Sequence, residues 1–157
     1  MSKGKKFAAV LMIAAVLCMA GCCAWAESLC GNGRISVYRE ASSASRALFS
    51  LLSGTPVEII SRGGEWMEIR VRGSSSLTGY VARENVGAGQ DDTYGATACS
   101  DCSMPTVSLR SRAGASYEVT EVIPTGTSVR VLGSSGSFKI VQTPSGKVGC
   151  LSEGEIR

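Results

Sequence analysis

SGTPVEIISRGGEWMEIRV, residues 53–71, is the stretch on which the fold turns. Ser53-Gly54-Thr55-Pro56 and Arg62-Gly63-Gly64 are clusters of turn residues, and the runs beside them are short and rich in β-branched side chains. In the second run Met67, Ile69 and Val71 alternate with Trp66, Glu68, Arg70 and, one further on, Arg72. That is the period of a strand with one buried face. The largest aromatic thus falls on the charged face. Trp66 is either a platform for a ligand or core covered by a segment outside the stretch.

Working outward, the stretch occurs twice. Sliding the chain by 72 residues aligns Ile35–Gly73 with Val107–Ser145 without a gap, so that TGTSVRVLGSSGSFKIVQT, residues 125–143, lies under the first stretch. Ser36, Ala41, Gly54, Thr55, Val57 and Gly64 fall on Ser108, Ala113, Gly126, Thr127, Val129 and Gly136. The apolar positions keep the frame: Ile35/Val107, Leu51/Ile123, Ile60/Leu132, Trp66/Phe138 and Ile69/Val141. Shortening the second copy by two residues then brings Gly79, Val81 and Val86 onto Gly149, Leu151 and Ile156, while Cys30 falls on Cys102 in the first frame. Each copy is close to the lower size limit for an independent core.

Strands are expected at residues 35–39, 48–52, 57–61, 66–72 and 78–82, with a polar loop at 40–46 and a helical turn near 83–86. The organisation expected is a leader at 1–26, a first domain at 29–86, a linker at 87–98 and a second domain at 99–157. The linker, GAGQDDTYGATA, has no apolar period and is expected to be a short flexible connection.

The N-terminus reads as an export signal. Lys3, Lys5 and Lys6 precede an apolar run, Phe7 to Ala20, that is short for a membrane span. Two processing patterns overlap: Ala24-Trp25-Ala26 suits cleavage before Glu27, and Met19-Ala20-Gly21-Cys22 resembles a lipobox that would lipidate Cys22. Cleavage after Ala26 leaves an even set, Cys30, Cys99, Cys102 and Cys150, which favours a soluble periplasmic or secreted protein over a membrane-anchored lipoprotein. Removing Lys3, Lys5 and Lys6 from the 16 basic residues leaves 13, equal to the 13 acidic ones. A formally neutral protein lacks the basic surplus a nucleic-acid partner needs.

The series VYREASSASRALFSLLSGTPVEII, GGEWMEIRV and TGYVARENV resembles a bacterial SH3-like domain. VSLRSRAGASYEVTEVIPTGTSVRVL, GSFKIV and SGKVGCL resemble a more diverged one, with Phe138 at the Trp position and Cys150 where Tyr80 stands. The resemblance implies an all-β protein of two small SH3-like five-stranded barrels in tandem after a cleaved signal peptide. It also implies recognition of peptidoglycan or its peptide crosslinks in the cell envelope.

Catalysis is disfavoured by chemistry. With no histidine in the chain, a Ser-His-Asp triad, a Cys-His dyad and an HExxH zinc site are excluded. Asp91-Asp92 and Glu153/Glu155 lie in a linker and at the chain end, not across a cleft. No metal and no cofactor is expected. Cys99-Ser100-Asp101-Cys102 has the spacing of a redox dithiol or a zinc knuckle, but a second such pair is absent. Export of small cores favours structural disulfides instead. Because the chain ends of this fold type lie together, a bridge from Cys99 or Cys102 to Cys150 is expected, with Cys30 taking the remaining thiol.

The expected ligand face is aromatic. Trp66, Tyr80 and Tyr38 line it, with Arg39, Glu40, Glu68 and Arg70 at its rim; Phe138 and Tyr117 are the second-copy counterparts. Such rings suit stacking on sugars or packing on peptide ridges. The reading favoured over a ligand face is that Trp66 and Tyr80 cover a barrel end and pack beneath the loop, because a domain this small needs every large apolar side chain. The alternative function is an adaptor for a partner polypeptide. A third is thiol redox chemistry at Cys99 and Cys102.

Overall fold

The computed structural model describes residues 27–31, 33–98 and 104–157. The leader with Cys22, and the pair Cys99 and Cys102, lie outside the described residues. The architecture is all-β. The first strand set comprises β1 (Arg34–Tyr38), β2 (Ala47–Leu52), β3 (Val57–Arg62), β4 (Trp66–Val71) and β5 (Thr78–Ala82), followed by a 3-10 turn at Arg83–Asn85. Then come β6 (Tyr94–Thr97) and a second set, β7 (Thr106–Arg110), β8 (Val119–Pro124), β9 (Ser128–Ser135), β10 (Phe138–Gln142) and β11 (Val148–Ser152), with a turn at Glu153–Glu155. Alternation and turn residues place the first five strands within one residue of expectation.

The pairing register recurs with the sequence repeat. Ile35↔Leu51 in β1–β2 becomes Val107↔Ile123 in β7–β8, and Tyr38↔Tyr80 becomes Arg110↔Cys150. Ile59↔Ile69 in β3–β4 becomes Val141↔Val131, and Glu68↔Tyr80 becomes Ile140↔Cys150. Even the irregularity repeats: the ladder skips Ile60 in β3 and Leu132 in β9. The start of each set is held differently from the first frame. Leu29 bridges Val86 and exchanges backbone bonds with Thr55 and Gly54, while Ala98 bridges Ile156 and bonds Thr127 and Gly126. Ala98 is therefore the counterpart of Leu29, which separates Cys30 from the Cys102 equivalence suggested by the gapless shift.

The connection between the copies also differs from expectation. Residues 94–97 form β6, antiparallel to β9 with Tyr94↔Val131 and Thr97↔Ser128. Asp91 accepts from Thr93 N–H at 3.0 Å and Thr93 Oγ1 at 2.6 Å, and pairs with Arg130 at 2.5 Å. Asp92 N–H donates to the Ser53 carbonyl at 2.9 Å. Backbone pairing to an existing strand edge needs no apolar period, so composition gave no warning of it.

Nor are the two sets separate sheets. The order is β3-β4-β5-β1-β2-β9-β10-β11-β7-β8, with β2 joined to β9 through Ser50↔Ser134 and Leu51↔Gly133. A Cβ on Gly133 would collide with the Ser50 carbonyl, so only glycine permits this approach. Thr55 Oγ1 donates to the Leu132 carbonyl at 3.1 Å, Arg34 to Ser134 Oγ at 2.9 Å, and Val148 N–H to the Gly73 carbonyl at 3.0 Å.

Packing follows the pleat. Met67, Ile69 and Val71 point into the first core with Leu29, Val37, Leu51, Val57 and Val81, all buried. Val107, Leu109, Val131, Val141 and Leu151 form a second core. Leu132, Ile140, Val148 and Cys150 lie on the opposite face of β9–β11 and join the first core. Burying each of these aliphatic side chains stabilises the junction by about 1.5–3 kcal/mol.

Candidate binding face

Directly paired residues share a face of the sheet. Tyr38, Tyr80 and Glu68 form one row across β1, β5 and β4, and Trp66, paired with Ala82, lies two residues along β4. This is the solvent side of the first strand set, opposite Met67 and Ile69. The Tyr38 and Trp66 rings meet edge to face, with centroids 5.6 Å apart and planes at 89°. Such contacts contribute about 0.5–1.5 kcal/mol beyond the area they bury. Trp66 is half-buried, so it is neither a free platform nor a core residue.

The face is divided rather than forming one groove. Trp66 and Tyr38 line a depression of about 410 Å³ with Ser36, Ser43, Glu84 and Asn85. Trp66 also borders a second hollow of about 650 Å³ with Gly64, Glu65 and Arg83. Tyr80 and Glu68 instead line a cavity of about 430 Å³ that also takes in Arg39. The loop at 40–46 is shaped by its own bonds: Arg39 N–H to the Arg46 carbonyl at 3.0 Å, Ser42 N–H to the Glu40 carbonyl at 2.7 Å, and Glu40 N–H to Ser45 Oγ at 3.1 Å. Its Ser43 reaches the Trp66 depression, so the loop flanks the tryptophan.

The other expected residues scatter. Arg70 donates to Glu58 across β3–β4 at 3.0 Å and is committed there. Glu40 is exposed in the loop. Phe138 is half-buried and packs against the first core, a structural use of the Trp position. Tyr117 reaches the same cavity as Tyr80, across the junction between the sets. Arg46 lines that cavity too and was missed, since it reads in sequence only as the end of a polar loop.

Of the carboxylates considered for chemistry, Asp91, Glu153 and Glu155 have structural partners. Glu153 pairs with Lys139 at 3.0 Å, and the Glu155 carboxylate accepts the Ser152 N–H at 3.0 Å. Hydrogen bonding by Thr93, with help from Arg130, holds the Asp91 carboxyl below the usual range against the opposing effect of its partial burial. Among the described residues Cys30 and Cys150 are not bridged to each other, and the partners expected for them, Cys99 and Cys102, lie outside the described residues. Cys150 lies within the core of the junction, where burial pushes its thiol up to about 12. A neutral, enclosed thiol of this kind is neither a nucleophile nor a zinc ligand.

Comparison with known proteins gives three results. Against solved structures, the chain is similar to NlpC1 from Trichomonas vaginalis at 12% identity and TM-score 0.41, covering 83% of this chain and 44% of that one. NlpC2 from the same organism is similar at 12% identity and TM-score 0.40, covering 83% of this chain and 46% of that one. The chain thus spans less than half the length of either. No curated protein sequence matches it. The family model for the bacterial SH3 domain matches residues 33–87, the span of the first strand set that carries Tyr38, Trp66 and Tyr80 on its outer face.

Proposed function

We propose that this chain is an exported, non-enzymatic cell-envelope module of two SH3-like barrels in tandem, which binds peptidoglycan or its peptide crosslinks. The observation that carries the reading is the Tyr38–Trp66 pair beside an open depression, on the outer face of a domain whose family is a binding family. The recurring strand register supports the second barrel, and the charged, apolar-flanked leader supports a periplasmic or secreted location. Lipidation at Cys22 is the membrane-anchored alternative, decided by the mass of the mature N-terminus.

Retention on purified peptidoglycan is the test. The exported chain is expected to sediment with it, and Trp66→Ala to lose at least about tenfold in affinity, the loss of one buried aromatic contact. Absence of retention, or retention unchanged in Trp66→Ala, overturns the proposal. One observation favours the adaptor reading instead: β8 ends the sheet, with Val119 and Val122 exposed by 40% and 57%. A partner strand added there would leave the Trp66 face untouched.

A further inference from the structure

The cavity beside Tyr80 belongs to neither strand set alone. The first set contributes Arg39, Arg46, Glu68 and Tyr80, and the loop between β7 and β8 contributes Arg112 and Tyr117. Two bonds fix its walls. Ser76 Oγ donates to the Ser111 carbonyl at 3.1 Å across the junction, and the Arg110 guanidinium donates to the Tyr117 carbonyl at 2.9 Å. Its base is apolar, with Phe49 and Leu77 both buried.

Charge distinguishes this cavity from the others. Arg39, Arg46 and Arg112 make no side-chain hydrogen bond or ion pair among the described residues, and neither does the Glu68 carboxylate. Three guanidiniums against one carboxylate leave a surplus of two positive charges around a concave space of about 430 Å³. Isolated surface arginines are ordinarily solvated. Here they come from three separate positions in the chain and converge on tyrosine-walled space, and small-ligand sites fall within about 300–1,000 Å³. The arrangement is not inherited from the repeat: Arg39, Arg46 and Arg112 correspond to Ser111, Glu118 and Glu40. It arises only where the copies meet.

We infer that this junction cavity binds a short peptide-like ligand bearing two carboxylates and one ammonium. A guanidinium fork matches a carboxylate through paired N–H donors, Glu68 receives the ammonium, and Tyr80 and Tyr117 pack on the aliphatic part. The ligand chemistry stands on the cavity's own charge; only its source in the envelope rests on the function proposed above.

The tripeptide Ala-Glu-Ala, with free termini, carries those groups, and amidated Ala-Gln-Ala keeps the ammonium without the carboxylates. Titrated into the exported chain and followed by NMR, Ala-Glu-Ala is expected to move the Tyr80 and Tyr117 ring signals and the side-chain signals of the three arginines. The amidated peptide is expected to leave them in place. Arg46→Gln and Arg112→Gln should each weaken binding about tenfold. Equal responses to both peptides, an equal response to inorganic phosphate, or shifts centred on Tyr38 and Trp66 overturn the inference. Peptidoglycan retention that survives both arginine changes, with a silent tripeptide titration, removes the cavity while sparing the envelope function. Tripeptide binding without retention does the reverse.

Discussion

Cys150 occupies in the second strand set the place that Tyr80 holds in the first, and this difference decides what each face does. Opposite Glu68, Tyr80 stays on an open wall; opposite Ile140, Cys150 is sealed into the junction. Two consequences follow. In native protein a thiol reagent is expected to modify Cys30, which is partly exposed, and to spare Cys150; rapid labelling of Cys150 would contradict its burial. The second consequence is a pH dependence. The Cys150 thiol ionises near 9.0 when unfolded and at about 12 when folded, so above pH 9 the unfolded chain sheds a proton that the folded one keeps. Its contribution is intact below pH 9 and falls by about 1.4 kcal/mol per pH unit through that window. The unfolding free energies of wild type and Cys150→Ala should therefore converge between about pH 9 and 11 in denaturant titrations, and parallel curves would refute the assignment. The aromatic row itself was legible, because period-2 alternation sorted Trp66 from Met67. Its division into separate hollows was not, since that depends on residues brought in from the other copy.

At the scale of the element, β9 does what β3 does not. Both skip one residue in their ladders, but Ile60 is left 46% exposed whereas Leu132 is fully buried. A bulge re-aims the chain locally, and in β9 it marks the point where one edge changes partner from β6 to β2. Gly133 makes that change possible. Gly133→Ala is expected to cost about 1–3 kcal/mol in urea unfolding and to expose the Ser50 and Ser134 amides to exchange. Ser61→Gly, at the corresponding free edge of β3, should cost less than about 1 kcal/mol. Equal effects would mean the junction is not held by close backbone approach. The strap at β6 depends on Asp91, whose folded carboxyl ionises below its unfolded value of 3.8. Its contribution is thus present above about pH 4 and lost as pH falls through the depressed folded value. Amide exchange at Tyr94–Thr97 should rise in acid in the wild type, and already at neutral pH in Asp91→Ala; exchange insensitive to both would detach Asp91 from the strap. The strands could be read from the sequence because each buries one alternating face. β6 and the β2–β9 junction could not, because edge pairing is backbone chemistry written in no side-chain period.

Across the whole molecule, the repeat associates head to tail: the β9 edge of one copy meets the β2 edge of the other. An association of this kind leaves the same two surfaces free at its ends, here β3 and β8, and would continue indefinitely if both were competent. The first copy is not competent to continue it. Where the second presents Gly133, Ser134, Ile140 and Val148, the first presents Ser61, Arg62, Glu68 and Thr78. A side chain replaces the required glycine and charge replaces the apolar patch, a common way of blunting a sheet edge. The cost of spending the second copy's face on the junction is that its stability becomes inseparable from the first. Leu132, Ile140, Val148 and Cys150 belong to the first core while their strands build the second, so neither core can open alone. Chemical unfolding is therefore expected to be a single transition, with tyrosine and tryptophan fluorescence coincident with far-UV circular dichroism. Ile140→Ala removes side-chain volume from the shared face and should lower the stability of that one transition by about 2–5 kcal/mol without splitting it. Two resolved transitions in the wild type, or a loss in Ile140→Ala confined to the Trp66-silent phase, would show that the copies fold as independent units.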